Sequence, residues 1–156
     1  MRPAHTPIGL YLTHASRAIS RAFDDALAAA GGSLPVWLVL VNLKMRSVAS
    51  QRDLAEAMGI KEATLTHHLN AMETAGLLTR RRDPANRRIH VVELTPAGEL
   101  AFGRLRGAAL SFDARLRQNV TDDEIATLES LLGRLAANVT QPDGRPLWAG
   151  LAEDKP

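Results

Sequence analysis

The sequence lacks cysteine altogether, and this absence excludes three kinds of chemistry. No disulfide can form, no thiolate can bind zinc, and no cysteine can act as a redox sensor. Aromatic residues are also scarce, at 4% of 156 residues, whereas alanine and leucine are abundant. This composition favours helices that pack through aliphatic side chains over an aromatic-rich β-sandwich. We therefore predict a mainly α protein.

Long apolar runs and catalytic signatures are missing as well. There is no stretch of about 18 apolar residues, and charges interrupt residues 1–31, so neither a membrane span nor a secretory signal is predicted. We expect a soluble, cytoplasmic protein. The motifs G-x-S-x-G and H-E-x-x-H are absent, as is a phosphate-binding loop. The sequence therefore predicts a protein that is not an enzyme and that needs no cofactor.

Positive charge is concentrated in one short segment. The net charge is only +2, although the isoelectric point is near 9.5. Between Arg80 and His90 the chain carries five arginines and a single acidic residue, Asp83. A local excess of this kind predicts a polyanionic partner, and the alternative is a solvated charged loop.

Apolar residues recur every three or four positions along most of the chain, which predicts helices. Ser50 with Asp53, and Thr121 with Glu124, have the spacing of capping boxes at two helix starts. Thr95 is followed by a proline at the first helical position, which indicates a third start. The predicted helices cover residues 8–30, 36–45, 51–58, 61–75, 96–119 and 122–139.

Residues 50–78 have the pattern of a helix-turn-helix. Gly59 supplies the tight turn between two short helices, and Leu65 and Leu69 face inward on the second one. The opposite face of that helix is small and polar, as required of a helix that enters a major groove about 12 Å wide. A hairpin follows over residues 77–94, because two short strands flank a turn that contains Pro84 and Asn86.

These segments resemble the MarR family of bacterial transcription regulators. LAEAMGIKEATLTHHLNAMETAGLL is similar to the helix-turn-helix of that family, and GLLTRRRDPANRRIHVVELTPAGEL to its wing and the LT-x-x-G helix start that follows. The resemblance covers nearly all of residues 8–139. It implies a single domain over residues 1–140, with a winged helix-turn-helix over 34–97, and a tail over 141–156. It also implies a homodimer in which helices over 8–31 and 98–139 form the dimerisation frame.

The resemblance further implies a sequence-specific regulator, a repressor, that binds a pseudo-palindromic double-stranded operator. The Lys61–Ala75 helix would enter a major groove and the wing a flanking minor groove. Arg88 matches the wing-tip arginine of the family, but Asn86 replaces the aspartate that usually holds it, and His67 stands where arginine is frequent. The expected DNA contacts are Ser50, Gln51, Arg52, Lys61, Glu62, Thr64, Thr66, His67, Asn70, Arg80, Arg82, Arg87 and Arg88.

Family members often respond to small aromatic acids held between the dimer frame and the DNA-binding lobe. By position, the candidates for such a site are His14, Arg17, Trp37 and Lys44, with ordinary core or surface roles as the alternative. A winged-helix module that binds protein and a metal-responsive regulator are the alternative functions. No metal site is predicted, because the adjacent histidines 67 and 68 point about 100° apart on a helix.

Overall fold

Six helices and three short strands make up residues 7–45, 49–87 and 89–140, which are the residues that the computed structural model describes. The chain divides into two units, the first ending at Ala114 and the second beginning at Arg115. The elements are α1 (Ile8–Ala29), α2 (Leu34–Met45), β1 (Ala49–Ser50), α3 (Gln51–Met58), α4 (Glu62–Thr74), β2 (Leu78–Arg82), β3 (His90–Leu94), α5 (Pro96–Leu116) and α6 (Asp122–Val139).

Capping residues set the helix ends, as the sequence predicts. The hydroxyl of Ser50 accepts a hydrogen bond from the N–H of Asp53 at 3.1 Å, and Gly59 ends α3 in the left-handed conformation with φ 63°. At α6 the capping box is complete. The N–H of Glu124 donates to the Thr121 hydroxyl, and the N–H of Thr121 donates to the Glu124 carboxylate. The pKa of the Glu124 carboxyl group is lowered first by the hydrogen bond from the N–H of Thr121 and second by the one from the Thr121 hydroxyl.

Two helix bounds differ from the prediction by more than one residue. α2 begins at Leu34, two residues earlier than expected, because Pro35 is tolerated within the first turn of a helix. α5 ends at Leu116 and not at Asn119. Asn119 has φ 62°, a left-handed conformation that a right-handed helix cannot include.

The sheet has three strands where the sequence predicts two. β3 lies in the middle and pairs antiparallel with β2, so that Arg80 is opposite Val92. β1 pairs with the other edge of β3 and places Ser50 opposite Val91. A strand of two residues is too short to show alternation, which is why the pattern did not reveal it. Its consequence is that the first residues of the helix-turn-helix are tied to the wing.

One hydrophobic core supports the helix-turn-helix in the first unit. The predicted inward positions Leu65 and Leu69 have no exposed surface, which confirms that part of the prediction, and Leu54 of α3 is also fully buried. Each such leucine contributes about 1.5–3 kcal/mol through the removal of its side chain from water. The core consists of Leu27, Val39, Leu40, Leu43, Leu54, Ala55, Leu65, Leu69, Met72, Leu78, Val92, Ala101 and Leu105.

α6 exposes large apolar side chains in the single chain. Leu128 is 48% exposed, Leu132 39% and Val139 47%. Spacings of four and seven residues place these side chains on one side of the helix. The helix therefore carries an exposed apolar stripe.

Among the described residues, no single helix is long and apolar enough to cross a membrane; only α1 and α2 taken together, with a bend of 76° between them, reach that length and composition.

Candidate nucleic-acid interface

The outer face of α4 is mostly polar. Its inner face is anchored in the core, and its outer face exposes Lys61, Glu62, Thr64, His67 and Asn70 to solvent. These side chains offer both donors and acceptors of hydrogen bonds. The positive end of the helix dipole lies at the same end as Lys61, the N-cap residue. The face therefore suits a groove that presents phosphates and polar base edges.

Thr66 is half-buried and joins α4 to α3. Its hydroxyl donates to the carbonyl oxygen of Glu62 at 2.9 Å and accepts a hydrogen bond from the side-chain amide of Gln51 at 2.5 Å. Gln51 and Thr66 are expected DNA contacts, and the structure shows that they also fix the two helices to each other. Ser50 caps α3 with its hydroxyl, whereas Arg52 is exposed in the first turn of that helix.

Arg80 joins the wing to the last turns of α4. Its Nε and Nη2 donate to Oε2 of Glu73 at 3.0 and 2.6 Å, and Nη2 also donates to Oδ1 of Asn70 at 2.6 Å. The side-chain hydrogen bond from Arg80 is the largest cause of a lowered pKa at Glu73. Two of the expected DNA contacts, Arg80 and Asn70, are thus bonded to each other.

The other wing arginines differ in how they are bonded. Arg81 points to the opposite side of the strand from its neighbours and forms a forked ion pair with Glu93, at 3.1 and 2.6 Å. This pair lowers the pKa of Glu93 and raises that of Arg81. Arg82 and Arg87 are exposed and form no ion pair within residues 7–45, 49–87 and 89–140. The free positive charge of the described wing is therefore at these two positions.

The wing turn is closed by local hydrogen bonds. The carboxylate of Asp83 accepts from the N–H of Ala85 at 2.7 Å, and the N–H of Asp83 donates to the carbonyl oxygen of Ile89 at 2.9 Å. This is the side-chain turn that aspartate typically forms at the start of a loop. Arg88, the expected wing-tip arginine, lies outside the described residues, and its DNA contact stays a prediction.

The segment that starts α5 also fastens the end of α4. The hydroxyl of Thr95 donates a hydrogen bond to the carbonyl oxygen of Gly76 at 2.6 Å. The backbone N–H of Thr95 donates to the carbonyl oxygen of Leu77 at 3.1 Å. Gly98 lies so close to the same Leu77 oxygen that a Cβ there would be 2.0 Å from it. The sequence indicates a helix start at this point, but it does not show that the glycine is required by a backbone contact from a distant turn.

A largely apolar cavity of about 390 Å³ lies between α2 and α5. Trp37 stacks on Phe102 with 5.8 Å between ring centroids, and Lys44 Nζ lies 5.6 Å from the Phe102 centroid while it pairs with Glu99 at 2.9 Å. Of the four expected ligand contacts, Trp37 and Lys44 share this cavity, whereas the two on α1 are exposed and do not line it. The lining consists of Trp37, Val41, Lys44, Met45, Phe102, Arg106, Ala109, Leu110 and Asp113.

Known proteins resemble this chain in both sequence and fold. Residues 33–90 match the model of the MarR family. A putative transcriptional regulatory protein for the hcr operon of Thauera aromatica is 29% identical over 129 residues, which cover 82% of this chain and 78% of that protein. The chain is also similar to the transcriptional repressor CouR bound to a 23-mer DNA duplex, with a TM-score of 0.76, 26% identity, and coverage of 83% and 92% of the two chains.

A second structural neighbour shows the same fold. BpsR of Bordetella bronchiseptica superimposes with a TM-score of 0.75 at 23% identity, over 86% of this chain and 97% of that one. Together with the observed elements, these likenesses confirm the predicted fold class, a mainly α protein with a winged helix-turn-helix.

Proposed function

We propose that this chain is a regulator of the MarR family, whose model residues 33–90 match, and that it represses transcription by binding a specific double-stranded operator as a homodimer. The observation that carries the proposal is the position of two surfaces on one unit. An exposed polar face on α4 adjoins a wing on which Arg82 and Arg87 are exposed and, within the described part of the wing, form no ion pair. Helix-turn-helix proteins place the second helix of the motif in a major groove, and wings carry positive charge toward the backbone and minor groove.

The proposed DNA contacts are of two kinds, contacts to base edges and contacts to phosphates. Thr64 and His67 lie in the exposed middle of α4 and would face base edges, whereas Lys61 and Arg52 lie at helix starts and would bind phosphates. Glu62 is acidic and exposed in the first turn of α4, where it would accept from the amino group of a cytosine. Arg82 and Arg87 would bind the backbone beside the groove. Gln51 and Thr66 would act mainly by holding α3 and α4 at a fixed angle.

The proposed homodimer covers apolar surface that the single chain exposes. On α6 the stripe of Leu128, Leu132 and Val139 is between 39% and 48% exposed, and on α1 Tyr11 is 64% exposed. Sedimentation equilibrium tests this step. Leu132→Glu is expected to yield a monomer, whereas Glu129→Gln, a change at an exposed polar position of the same helix, should leave the dimer intact. A dimeric Leu132→Glu protein would contradict the assigned interface.

Selection from a pool of random duplexes at physiological salt tests the function. Two recognition helices related by a two-fold axis lie about 34 Å apart, so the selected sequence should contain inverted half-sites centred about 10 base pairs apart. No enrichment of any duplex would overturn the proposal, and retention of a protein partner without DNA binding would favour the alternative of a protein-interaction module.

We also propose that the cavity between α2 and α5 binds a small aromatic acid that regulates DNA binding. The stacked rings of Trp37 and Phe102 offer an apolar wall, and Lys44 and Arg106 place two cations on the lining. A ligand changes DNA affinity only if it binds the free and DNA-bound arrangements unequally. Calorimetric titration with benzoate-class acids should show binding that Lys44→Met weakens by at least about tenfold, or about 1.4 kcal/mol. Equal binding by both proteins would remove Lys44 from the site.

A further inference from the structure

The side chain of Asn70 is exposed on α4 but is held in one orientation. Nη2 of Arg80 donates to Oδ1 of Asn70 at 2.6 Å. A guanidinium group has only donors, so the amide atom that faces it is the oxygen and not the nitrogen. The amide group of Asn70 therefore directs its NH2 donors away from Arg80.

Arg80 itself is bonded at several points. Its Nε, its Nη2 and its backbone N–H all donate to the carboxylate of Glu73, at 3.0, 2.6 and 3.1 Å, and its side chain is only 20% exposed. Forked, charge-assisted bonds of this kind are stronger and more directional than bonds between neutral groups. If Arg80 turned toward a phosphate, the carboxylate of Glu73 would lose its partner beside the anionic DNA. The geometry thus opposes a phosphate contact by Arg80.

We propose that Arg80 is a positioning residue for sequence recognition and that it does not bind a phosphate itself. Anchored by Glu73, it holds Oδ1 of Asn70, and Asn70 in turn presents its NH2 group to a base edge. The inference rests on the proposed function, because it requires that α4 enters a major groove.

The fixed orientation of Asn70 predicts the base that it recognises. An asparagine that is free to turn pairs with adenine through both amide atoms, since its oxygen accepts from N6 and its nitrogen donates to N7. In this protein Oδ1 is already bonded to Arg80, so the donors dominate what Asn70 presents. Guanine offers two adjacent acceptors in the major groove, O6 and N7. We expect a G·C pair at the position that Asn70 reads.

Duplex selection combined with salt titration tests the inference. The full-length wild type, Asn70→Ala and Arg80→Met are each allowed to select from the same random pool, and the affinity for the wild-type sequence is measured over a range of salt concentrations. Both variants should lose the G·C preference at the same single position of each half-site. Arg80→Met should leave the slope of log K against log salt unchanged, whereas the loss of a phosphate contact would reduce the slope by about one.

Two further variants separate charge from positioning. Arg82→Met is the matched control on the same strand, and it should reduce the salt slope by about one while keeping the base preference. Arg80→Lys keeps the charge but not the forked geometry, and it should relax the base preference as Arg80→Met does. In the free protein, adding Glu73→Gln to Arg80→Met should not lower the melting temperature further, because the two residues act through one interaction.

The outcomes distinguish this inference from the proposed function. Three results would each overturn the role of Arg80 and still leave DNA binding by the protein in place. The first is a salt slope that Arg80→Met reduces by about one. The others are an A·T pair at the position whose preference Asn70→Ala loses, and a selected sequence that Asn70→Ala leaves unchanged. A wild type that selects no duplex would overturn the proposed function, and the inference with it.

Discussion

Replacement of Gly98 by alanine should destabilise the protein through a backbone clash at the junction of α4 and α5. The added Cβ would lie 2.0 Å from the carbonyl oxygen of Leu77 and 3.1 Å from its carbonyl carbon. A flexible side chain can move aside, but this oxygen belongs to the backbone and also accepts the N–H of Thr95 at 3.1 Å. To relieve the clash, α5 must shift away from the turn and lengthen that hydrogen bond.

The loss of stability in Gly98→Ala is the sum of the steric clash and the weakened hydrogen bond. Overpacking of a well-packed site costs about 1–3 kcal/mol, and the weakened hydrogen bond adds about 0.5–1.5 kcal/mol. We therefore expect Gly98→Ala to lower the free energy of unfolding by about 2–4 kcal/mol. For a chain of this size that corresponds to a melting temperature lower by about 5–15 °C.

Thermal unfolding of a matched pair of variants measures this effect. Gly103 is in the same helix, but a Cβ there has no atom within 4 Å, so Gly103→Ala adds the same methyl group without a clash. Because alanine is favoured over glycine inside a helix by about 1 kcal/mol, that variant should be slightly more stable than the wild type. Equal melting temperatures for Gly98→Ala and the wild type would refute the reasoning.

Two other predictions concern capping and pH. Thr121→Ala removes the side-chain oxygen that caps α6 and should cost about 1 kcal/mol in denaturant unfolding, whereas an unchanged midpoint would show that the cap contributes nothing. The pKa of Glu73 in the folded protein is lowered below its ordinary value of 4.5, mainly by the side-chain hydrogen bond from Arg80. The stabilisation that Glu73 provides is therefore present above about pH 4.5 and is lost as the pH falls through the folded pKa. Denaturant unfolding from pH 6 downward should therefore show wild type and Glu73→Gln converging in acid, and a constant difference between them would contradict that linkage.

Much of the fold follows from signals between residues that are close in sequence. Ser50 and Thr121 cap helices where the spacing of their partners predicts it, and Gly59 ends α3 because glycine readily adopts the left-handed conformation. Such features depend on a few neighbouring residues, so the sequence carries them directly. The inward leucines of α3 and α4 follow in the same way from helical periodicity.

The features that the sequence missed depend on residues that are distant in sequence or on a second chain. Nothing in the run from Arg80 to Arg82 shows which arginine meets Glu73, because that choice is set by how β2 lies against α4. Alternation along a strand could have predicted that Arg81 points the other way. The need for Gly98 arises from the carbonyl group of Leu77, which is brought there only by the folded turn.

The apolar stripe on α6 shows a different limit of sequence patterns. Periodicity identifies which side of a helix is apolar, but it does not distinguish burial within one chain from burial against a second copy. The sequence places Leu128 and Leu132 on one side of α6, and the structure shows that both are exposed in the single chain.

In the proposed function, the exposed face of α4 reads the sequence of double-stranded DNA. The most direct test compares the duplexes selected by the wild type and by His67→Ala, since His67 is exposed in the middle of that face. We predict that both select inverted half-sites about 10 base pairs apart, and that His67→Ala loses its preference at one symmetric position. Arg104→Ala, a change at an exposed position on α5, should select the wild-type sequence. Identical sequences from His67→Ala and the wild type would contradict the claim.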